Sequence, residues 1–210
     1  MVNSVKSFDI AAGKAVEEVN LLLEWQNVVK GTTAVLPYGV DPYSLQIDPI
    51  RLARGFDHRL AQRPGSASAR VTRLDVFTGI HHPFRNRRAH DVLARQIARW
   101  TSTSSLEVHV HTAELSYDED GRYHEKEIDA LFDMRLVDAA DDSRFGTAIL
   151  FANDRDHKPW LDRIRRRSRI HIELASWGDV NNVLWQRGTW VHKLTADDLR
   201  RCSGPYGDAA

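Results

Sequence analysis

The segment VNLLLE, Val19–Glu24, decides the fold class of this chain. It is short and largely apolar, and polar residues bound it, which is typical of a strand buried on both faces of a parallel sheet. Upstream, residues 1–18 have only a weak helical pattern, so we expect an N-terminal extension that packs outside the sheet. Downstream, strand-like and helix-like segments alternate, which predicts an α/β fold with a parallel sheet covered on both faces.

The alternation continues along the rest of the chain. Further strands are predicted at residues 71–78, 106–111, 147–152 and 169–175, with a strand-like piece at 189–194. Helices are predicted at residues 49–63, 85–100, 126–139, 158–166 and 196–201. Asp48 is the expected N-cap of the first of these helices, with Pro49 at its first position. Together these elements indicate a three-layer α/β/α architecture with a central, mostly parallel sheet of about five strands.

The composition fits one globular domain inside the cell. With 210 residues, of which 42% are hydrophobic, the chain can bury one sizeable core. No apolar run approaches the roughly 20 residues that a membrane span needs, and the first residues lack the layout of a secretory signal. Cys202 is the only cysteine, which excludes an internal disulfide and fits a reducing compartment. We therefore expect a cytoplasmic protein without membrane contact.

Charge is unevenly distributed, although the formal net charge is +0 at pH 7. Arginines concentrate in residues 51–99 and 163–169, and acids in residues 114–142. An enzyme that acts on nucleic acid with metal ions needs such a separation, because basic surface binds phosphates and an acidic pocket binds cations. Taken alone, a solvated charged surface explains the pattern equally well.

Acidic residues stand where two predicted strands end. Glu24 closes the first strand, and Asp154 and Asp156 directly follow the fourth. Ligand sites of open parallel sheets lie at the carboxyl ends of strands, so we expect these acids to converge. Asp129 lies in the helix before the fourth strand, and Asp133, four residues on, shares its helix face.

Carboxylates that converge in this way point to a metal site. They repel each other unless a cation neutralises them, and hard oxygen ligands suit Mg²⁺ or Mn²⁺. A bound ion of this kind can generate hydroxide from water and neutralise charge on a leaving oxygen, so the expected reaction is hydrolysis of a phosphodiester. A single Asp at a strand end is more often a helix cap or loop residue, and the prediction therefore depends on the acids coming together.

Three segments resemble proteins of the NYN-domain family, which belongs to the PIN-like nuclease superfamily. They are LLLEWQNV (Leu21–Val28), HEKEIDALFDMRLVDAA (His124–Ala140) and TAILFANDRDHKPWLDRI (Thr147–Ile164). Further on, ELASW (Glu173–Trp177) and WVHKL (Trp190–Leu194) are similar to the tail of actinobacterial-type members. The resemblance implies a PIN-like domain at residues 19–202, a C-terminal tail at 203–210, and a divalent-metal endoribonuclease whose partner is RNA.

The resemblance also implies roles for single residues. It implies catalysis and metal binding by Glu24, Asp129, Asp154 and Asp156, and we add Asp133 to the expected metal ligands. Substrate contact is expected from basic and amide residues, namely Asn27, Arg85, Arg87, Arg88, Lys126 and Arg155. Two positions depart from the family pattern, because Glu24 stands where Asp is common and Arg155 where a small residue is common. The extra methylene of Glu24 displaces its carboxylate, which can weaken catalysis that depends on position.

Alternatives to an RNA-cleaving enzyme stay open in the sequence. One is an RNA-binding or regulatory module whose metal site has decayed, and another is a nuclease that acts on DNA. Proteins that read backbone and shape leave no short motif, so the sequence does not separate RNA from DNA. Self-association as a homodimer is also open. His109 and His111 share one side of a predicted strand, but no third ligand for zinc is near them in sequence.

Overall fold

The fold is built around a six-stranded sheet, in a computed structural model that describes residues 16–63, 68–102, 105–125, 127–179 and 182–205. The strands are β1 (Glu17–Glu24), β2 (Leu45–Ile47), β3 (Ala69–Ile80), β4 (Glu107–Glu114), β5 (Ser116–Tyr117), β6 (Tyr123–His124), β7 (Phe145–Phe151), β8 (His171–Trp177), β9 (Val191–Leu194) and β10 (Ser203–Pro205). The helices are α1 (Trp25–Gly31), α2 (Pro49–Ala61), α3 (Arg87–Thr101), α4 (Ile128–Asp141), α5 (Lys158–Arg167) and α6 (Ala196–Cys202). Short 3-10 turns lie at Thr32–Ala34, Pro42–Ser44 and Arg155–His157.

The central sheet has the order β4-β3-β1-β7-β8-β9, and each pair of neighbouring strands is parallel. The predicted α/β class with a parallel central sheet is confirmed. The strand-like piece at residues 189–194 contains β9, which forms one edge of the sheet and makes it six-stranded rather than five-stranded. Two small antiparallel sheets, β2 with β10 and β5 with β6, lie outside the central sheet.

Helices cover both faces of the sheet, which gives three layers. On one face α1, α2, α3 and α6 pack over a core that includes Leu21, Leu23 and Phe56. On the other face α4 and α5 pack over a second core that includes Leu22 and Phe132. Successive side chains of a strand point to opposite faces, so β1 contributes alternate leucines to the two cores. This double burial explains why the segment reads as a continuous apolar run.

Capping side chains set two of the helix starts. Asp48 caps α2 as predicted, because its carboxylate accepts hydrogen bonds from first-turn N–H groups. The sequence pattern predicts that helix α3 begins at Arg85, but in the structure it begins at Arg87. The Asn86 side chain accepts a hydrogen bond from the N–H of Ala89 at 3.1 Å and thereby fixes the later start.

The described fold extends past both limits of the predicted domain, residues 19 and 202. β1 begins at Glu17, so the end of the expected N-terminal extension belongs to the sheet. Ser203–Pro205 pairs with β2, so the start of the expected tail also belongs to the fold. Lys126, an expected substrate contact, lies outside the described residues.

Helix α1 follows β1 without a loop, and the sequence pattern does not predict it. It has 7 residues, too few for an amphipathic period to stand out. Tertiary contacts fix its position instead. The indole N–H of Trp177 donates a hydrogen bond to the carbonyl of Val28 at 2.8 Å. Gly31 permits close packing, because a Cβ there would lie 3.0 Å from Cδ1 of Trp177.

Within the ranges that the structure describes, no helix combines the length and the hydropathy that a membrane span requires.

Candidate metal and substrate site

The strand order reverses between β1 and β7, which lie side by side at the centre of the sheet. From β1 the sheet continues through β3 to β4, and from β7 it continues through β8 to β9 on the other side. Open parallel sheets bind their ligands outside the carboxyl ends of the strands at such a reversal. At this point β1 ends with Glu24, and β7 ends at Phe151, just before Asp154.

Two of the predicted acids meet at this edge together with a histidine. Glu24, Asp129 and His157 each offer one ligand atom, and the three atoms all lie within 4.8 Å of one another. Glu24 is buried at the end of β1 with 6% of its surface exposed, and Asp129 is half-buried in the first turn of α4. His157 ends the 3-10 turn between β7 and α5 and is fully buried. We call these three residues the acidic cluster.

His157 lies between two buried carboxylates. Its Nδ1 donates a hydrogen bond to Oδ1 of Asp133 at 2.9 Å, and its Nε2 lies 3.5 Å from Oε2 of Glu24. Burial alone would lower the pKa of His157, but the hydrogen bonds to Asp133 and Glu24 outweigh it and raise the pKa to about 10. His157 therefore carries a positive charge at neutral pH and neutralises negative charge inside the site.

The other charged groups of the site shift the pKa of the Asp129 carboxyl. Its pKa is raised, first by burial and then by the negative charge of Glu24, against the opposing effect of His157. The charges of Asp154 and Asp133 raise it further, so both groups lie close enough to interact with it. Asp129 is the acid of the cluster that a bound cation would relieve most directly, because no hydrogen bond to a positive group offsets its burial within the described residues.

The acidic turn after β7 divides its two aspartates between different environments. Asp154 is half-buried, and its Oδ1 accepts a hydrogen bond from the N–H of Asp156 at 3.0 Å. Asp156 is exposed, as is Arg155 between them. The set of described side chains that could jointly ligate one ion contains neither aspartate of the turn. The charge of Asp154 acts on Asp129 of the acidic cluster. Asp156 contributes its backbone N–H to the hydrogen bond of the turn.

Glu125 is a further acid at the site, and sequence reasoning missed it together with His157. The Glu125 carboxylate accepts a hydrogen bond from the N–H of Gly79 at 3.1 Å. Burial raises its pKa, and the charges of Glu24 and Asp129 add to this, whereas the Gly79 N–H and the Lys30 ammonium lower it. Both residues lie within the quoted motif segments, but a rule based on acids at strand ends identifies neither, because Glu125 does not follow a predicted strand and His157 is not an acid.

The described residues among the expected substrate contacts follow the carboxyl ends of β1, β3 and β7. Arg85, Arg87 and Arg88 are all exposed at the start of α3. The guanidinium of Arg85 lies 5.7 Å from the centroid of the Tyr117 ring, and Arg87 pairs with Asp91 at 3.6 Å. Arg88 lines a cavity next to the acidic cluster. Asn27 is half-buried in α1, three residues beyond the end of β1.

The donor set fits a divalent cation. Glu24, Asp129 and the neighbouring Asp154 offer carboxylate oxygens, which suit Mg²⁺ or Mn²⁺. The imidazole of His157 is held on its Nδ1 side by Asp133, which is the carboxylate–histidine arrangement that supports metal sites from the second layer. Nε2 of His157 could serve as a ligand only after losing its proton, and the site would then favour Mn²⁺ over Mg²⁺, because imidazole suits softer ions.

Similarity to known proteins assigns no family to this chain. No protein-family profile matches the chain, and no curated protein matches it. Among solved structures, the chain is similar to a protein of unknown function from Vibrio parahaemolyticus, with 16% sequence identity and a TM-score of 0.47. The similarity covers 76% of this chain and 81% of the other.

Proposed function

We propose that this protein is a cytoplasmic, divalent-metal-dependent endoribonuclease of the NYN-domain, PIN-like kind. One observation carries the proposal: carboxylates from β1 and α4 converge at the reversal point of a parallel sheet, and the charge of Asp154 acts on Asp129 there. Ligand chemistry in such sheets is concentrated at this point. Burying several acids together is costly unless a cation is part of the site's design.

The residues of the cluster divide the work between them. Glu24 and Asp129 would hold the cation, and Asp154 would add negative charge from the turn after β7. His157 acts as a positioning residue, because its imidazolium holds the Glu24 carboxylate in place. A bound Mg²⁺ or Mn²⁺ supplies an activated water and neutralises charge on the phosphodiester.

The rim of the site provides the complementary charge for an RNA backbone. Arg85, Arg87 and Arg88 stand at the N-terminal end of α3, where the helix dipole also favours a phosphate. Arg155 lies exposed on the turn that carries Asp154. Such contacts position a strand without reading its sequence, which agrees with an enzyme that recognises backbone and shape.

A second candidate is an RNA-binding or regulatory module without catalysis, and the geometry of His157 favours it. The imidazolium already satisfies Glu24 and Asp133, so part of the acidic charge is neutralised without a metal ion. Under this alternative, RNA binding does not depend on divalent cations.

The test is cleavage of labelled single-stranded RNA by the purified protein with Mn²⁺, Mg²⁺ or chelator. We expect cleavage with either ion and none with chelator. Asp129→Asn should lower the rate by at least about 100-fold, because it removes a ligand of the ion. The matched control is Asp138→Asn, the same change on an exposed position of α4, which should leave the rate unchanged.

Further variants separate the two aspartates of the turn. Asp154→Asn should lower the rate and the exposed Asp156→Asn should do so less, because only Asp154 borders the acidic cluster. Cleavage that survives both the chelator and Asp129→Asn would refute the proposal. Tight RNA binding in chelator, with no cleavage under any condition, would favour the non-catalytic module. A single-stranded DNA of the same sequence, tested alongside, decides between RNA and DNA.

A further inference from the structure

A cavity of about 480 Å³ opens next to the acidic cluster, at the carboxyl end of β3. It adjoins the cluster at two points. Trp25, which lines the cavity, directly follows Glu24 in the chain, and Glu125, which also lines it, lies within charge range of Glu24 and Asp129. Its volume falls within the roughly 300–1,000 Å³ of small-molecule sites. An RNA strand with one phosphate at the acidic cluster would therefore have room in this cavity for a group next to that phosphate.

The wall of the cavity carries two tyrosines that the fold leaves open to solvent. Tyr43 is 51% exposed and Tyr123 is 47% exposed, and both line the cavity. The pKa of Tyr43 is raised, first by burial of its hydroxyl and then by the charges of Tyr123 and Glu125, so the two phenols lie near each other. Exposed aromatic rings that share one concave surface are typical of a binding site rather than of a core. We call this cavity the tyrosine cavity.

Neighbouring rings hold the aromatic wall in place. The Tyr123 ring packs edge-on against His81 at 5.1 Å, and Nδ1 of His81 lies 2.6 Å from the hydroxyl of Tyr117. Trp25, which also lines the cavity, packs against Trp100 with ring centroids 5.1 Å apart. Rings that are fixed before binding lose little conformational entropy when a flat ligand stacks on them.

Polar groups at the same cavity match the rest of a nucleotide. Gln26 and Gln96 line it and offer amide donors and acceptors of the kind that pair with base edges. Arg88 lines it at the start of α3, a helix of 15 residues whose N-terminal dipole favours a phosphate. The cavity thus combines a stacking wall, amide groups and a cationic rim.

We infer that the tyrosine cavity binds one unstacked nucleobase of a single-stranded RNA, next to the phosphodiester at the acidic cluster. The inference rests on the proposed function and names its substrate class. A base paired within an A-form helix is stacked on its neighbours, whereas a base of a single strand can turn out and stack on aromatic side chains. Stacking tolerates every base, so the cavity favours single strands without fixing a sequence.

The test measures binding of a single-stranded oligoadenylate RNA that contains one 2-aminopurine, in chelator, by fluorescence anisotropy and by quenching of 2-aminopurine. The protein carries Asp129→Asn to exclude cleavage. We expect Tyr123→Ala and Tyr43→Ala each to raise Kd at least about fivefold and to relieve the quenching, the lower limit for the loss of one stacked base. Tyr38→Ala is the matched control, because Tyr38 is fully exposed outside the cavity wall, and it should change Kd less than about twofold.

Cleavage by the otherwise wild-type protein, measured in parallel with Mn²⁺, separates this inference from the proposed function. If metal-dependent cleavage is present but neither tyrosine variant alters Kd or quenching more than the control, the cavity is not a base site and the enzyme proposal stands. If cleavage is absent while both tyrosine variants weaken binding, the base site stands and the enzyme proposal fails. Absence of any RNA binding overturns the inference. Thermal unfolding of each variant checks that it is folded. Both tyrosines are exposed, so their removal should leave the unfolding temperature nearly unchanged.

Discussion

Replacing His157 by alanine tests the charge balance at the centre of the site. The imidazolium lies between Glu24, which is 6% exposed, and Asp133, which is 8% exposed. Removing one partner of a buried ion pair leaves the other charge without compensation, at a cost of about 3–5 kcal/mol. The lost ring also packs against Phe132, with centroids 4.6 Å apart, so a cavity adds to the cost. We therefore expect His157→Ala to lower the free energy of unfolding by at least about 3 kcal/mol.

The assay is urea unfolding of both proteins in chelator, followed by circular dichroism. The control is His109→Ala, because His109 pairs with Glu107 at 2.8 Å but is solvent-exposed. Such surface pairs contribute about 0–1 kcal/mol, so the control should remain close to the wild type. A loss in His157→Ala no larger than that in the control would refute the argument that the buried acids depend on the imidazolium.

A metal titration extends the same experiment. A cation bound at Glu24 and Asp129 should replace part of the positive charge that His157→Ala removes, so Mn²⁺ should stabilise the variant more than the wild type. An ion at a concentration 100-fold above its Kd stabilises a folded protein by about 2.7 kcal/mol, which is within reach of the unfolding assay. An equal or smaller effect of Mn²⁺ on the variant would contradict binding at these carboxylates.

Two further predictions concern residues outside the cluster. Burial raises the pKa of Asp75, but hydrogen bonds from His111 and a neighbouring arginine outweigh this and lower it to about 2. Asp75→Asn should therefore lower the free energy of unfolding by roughly 2 kcal/mol at pH 7. In urea unfolding, the difference from the wild type should vanish as the pH falls from about 4 to about 2, because a carboxylate with a lowered pKa stabilises the folded state only above that pH range. Gly79→Ala would place a Cβ 2.2 Å from Cδ2 of Leu115 and 2.8 Å from Oε1 of Glu125. It should therefore lower the free energy of unfolding by about 1–3 kcal/mol in the same assay. An unchanged unfolding midpoint would show that the neighbouring side chains move freely.

The sequence predicted the central layers of the fold because hydrophobic period and burial coincide there. Val19–Glu24 is largely apolar because the sheet buries both of its faces, and that pattern is typical of a parallel sheet between two helical layers. Helix α1 escaped prediction because contacts with Trp177 determine it, and that residue lies far away in the chain. Local pattern cannot report contacts of this kind.

The same distinction applies to the candidate site. Glu24 and Asp129 could be expected to converge, because the topology of a parallel sheet places strand ends and the helix that follows them at one edge. His157 and Glu125 could not be identified by that rule. Their burial depends on how the turn after β7 and the segment before α4 fold back over β1 and β3, which no residue spacing encodes.

The pairing of β10 with β2 has a consequence for the order in which the molecule can assemble. β2 directly follows the turn that carries Tyr43, and its partner strand β10 is synthesised after every strand of the central sheet. The backbone N–H of Asp48 donates to the carbonyl of Cys202 at 2.7 Å and anchors the same junction. During translation, the central sheet and the acidic cluster can therefore form while the side of the tyrosine cavity next to β2 is not yet fixed. If the tyrosine cavity binds RNA as inferred, a chain still attached to the ribosome would complete this binding site last.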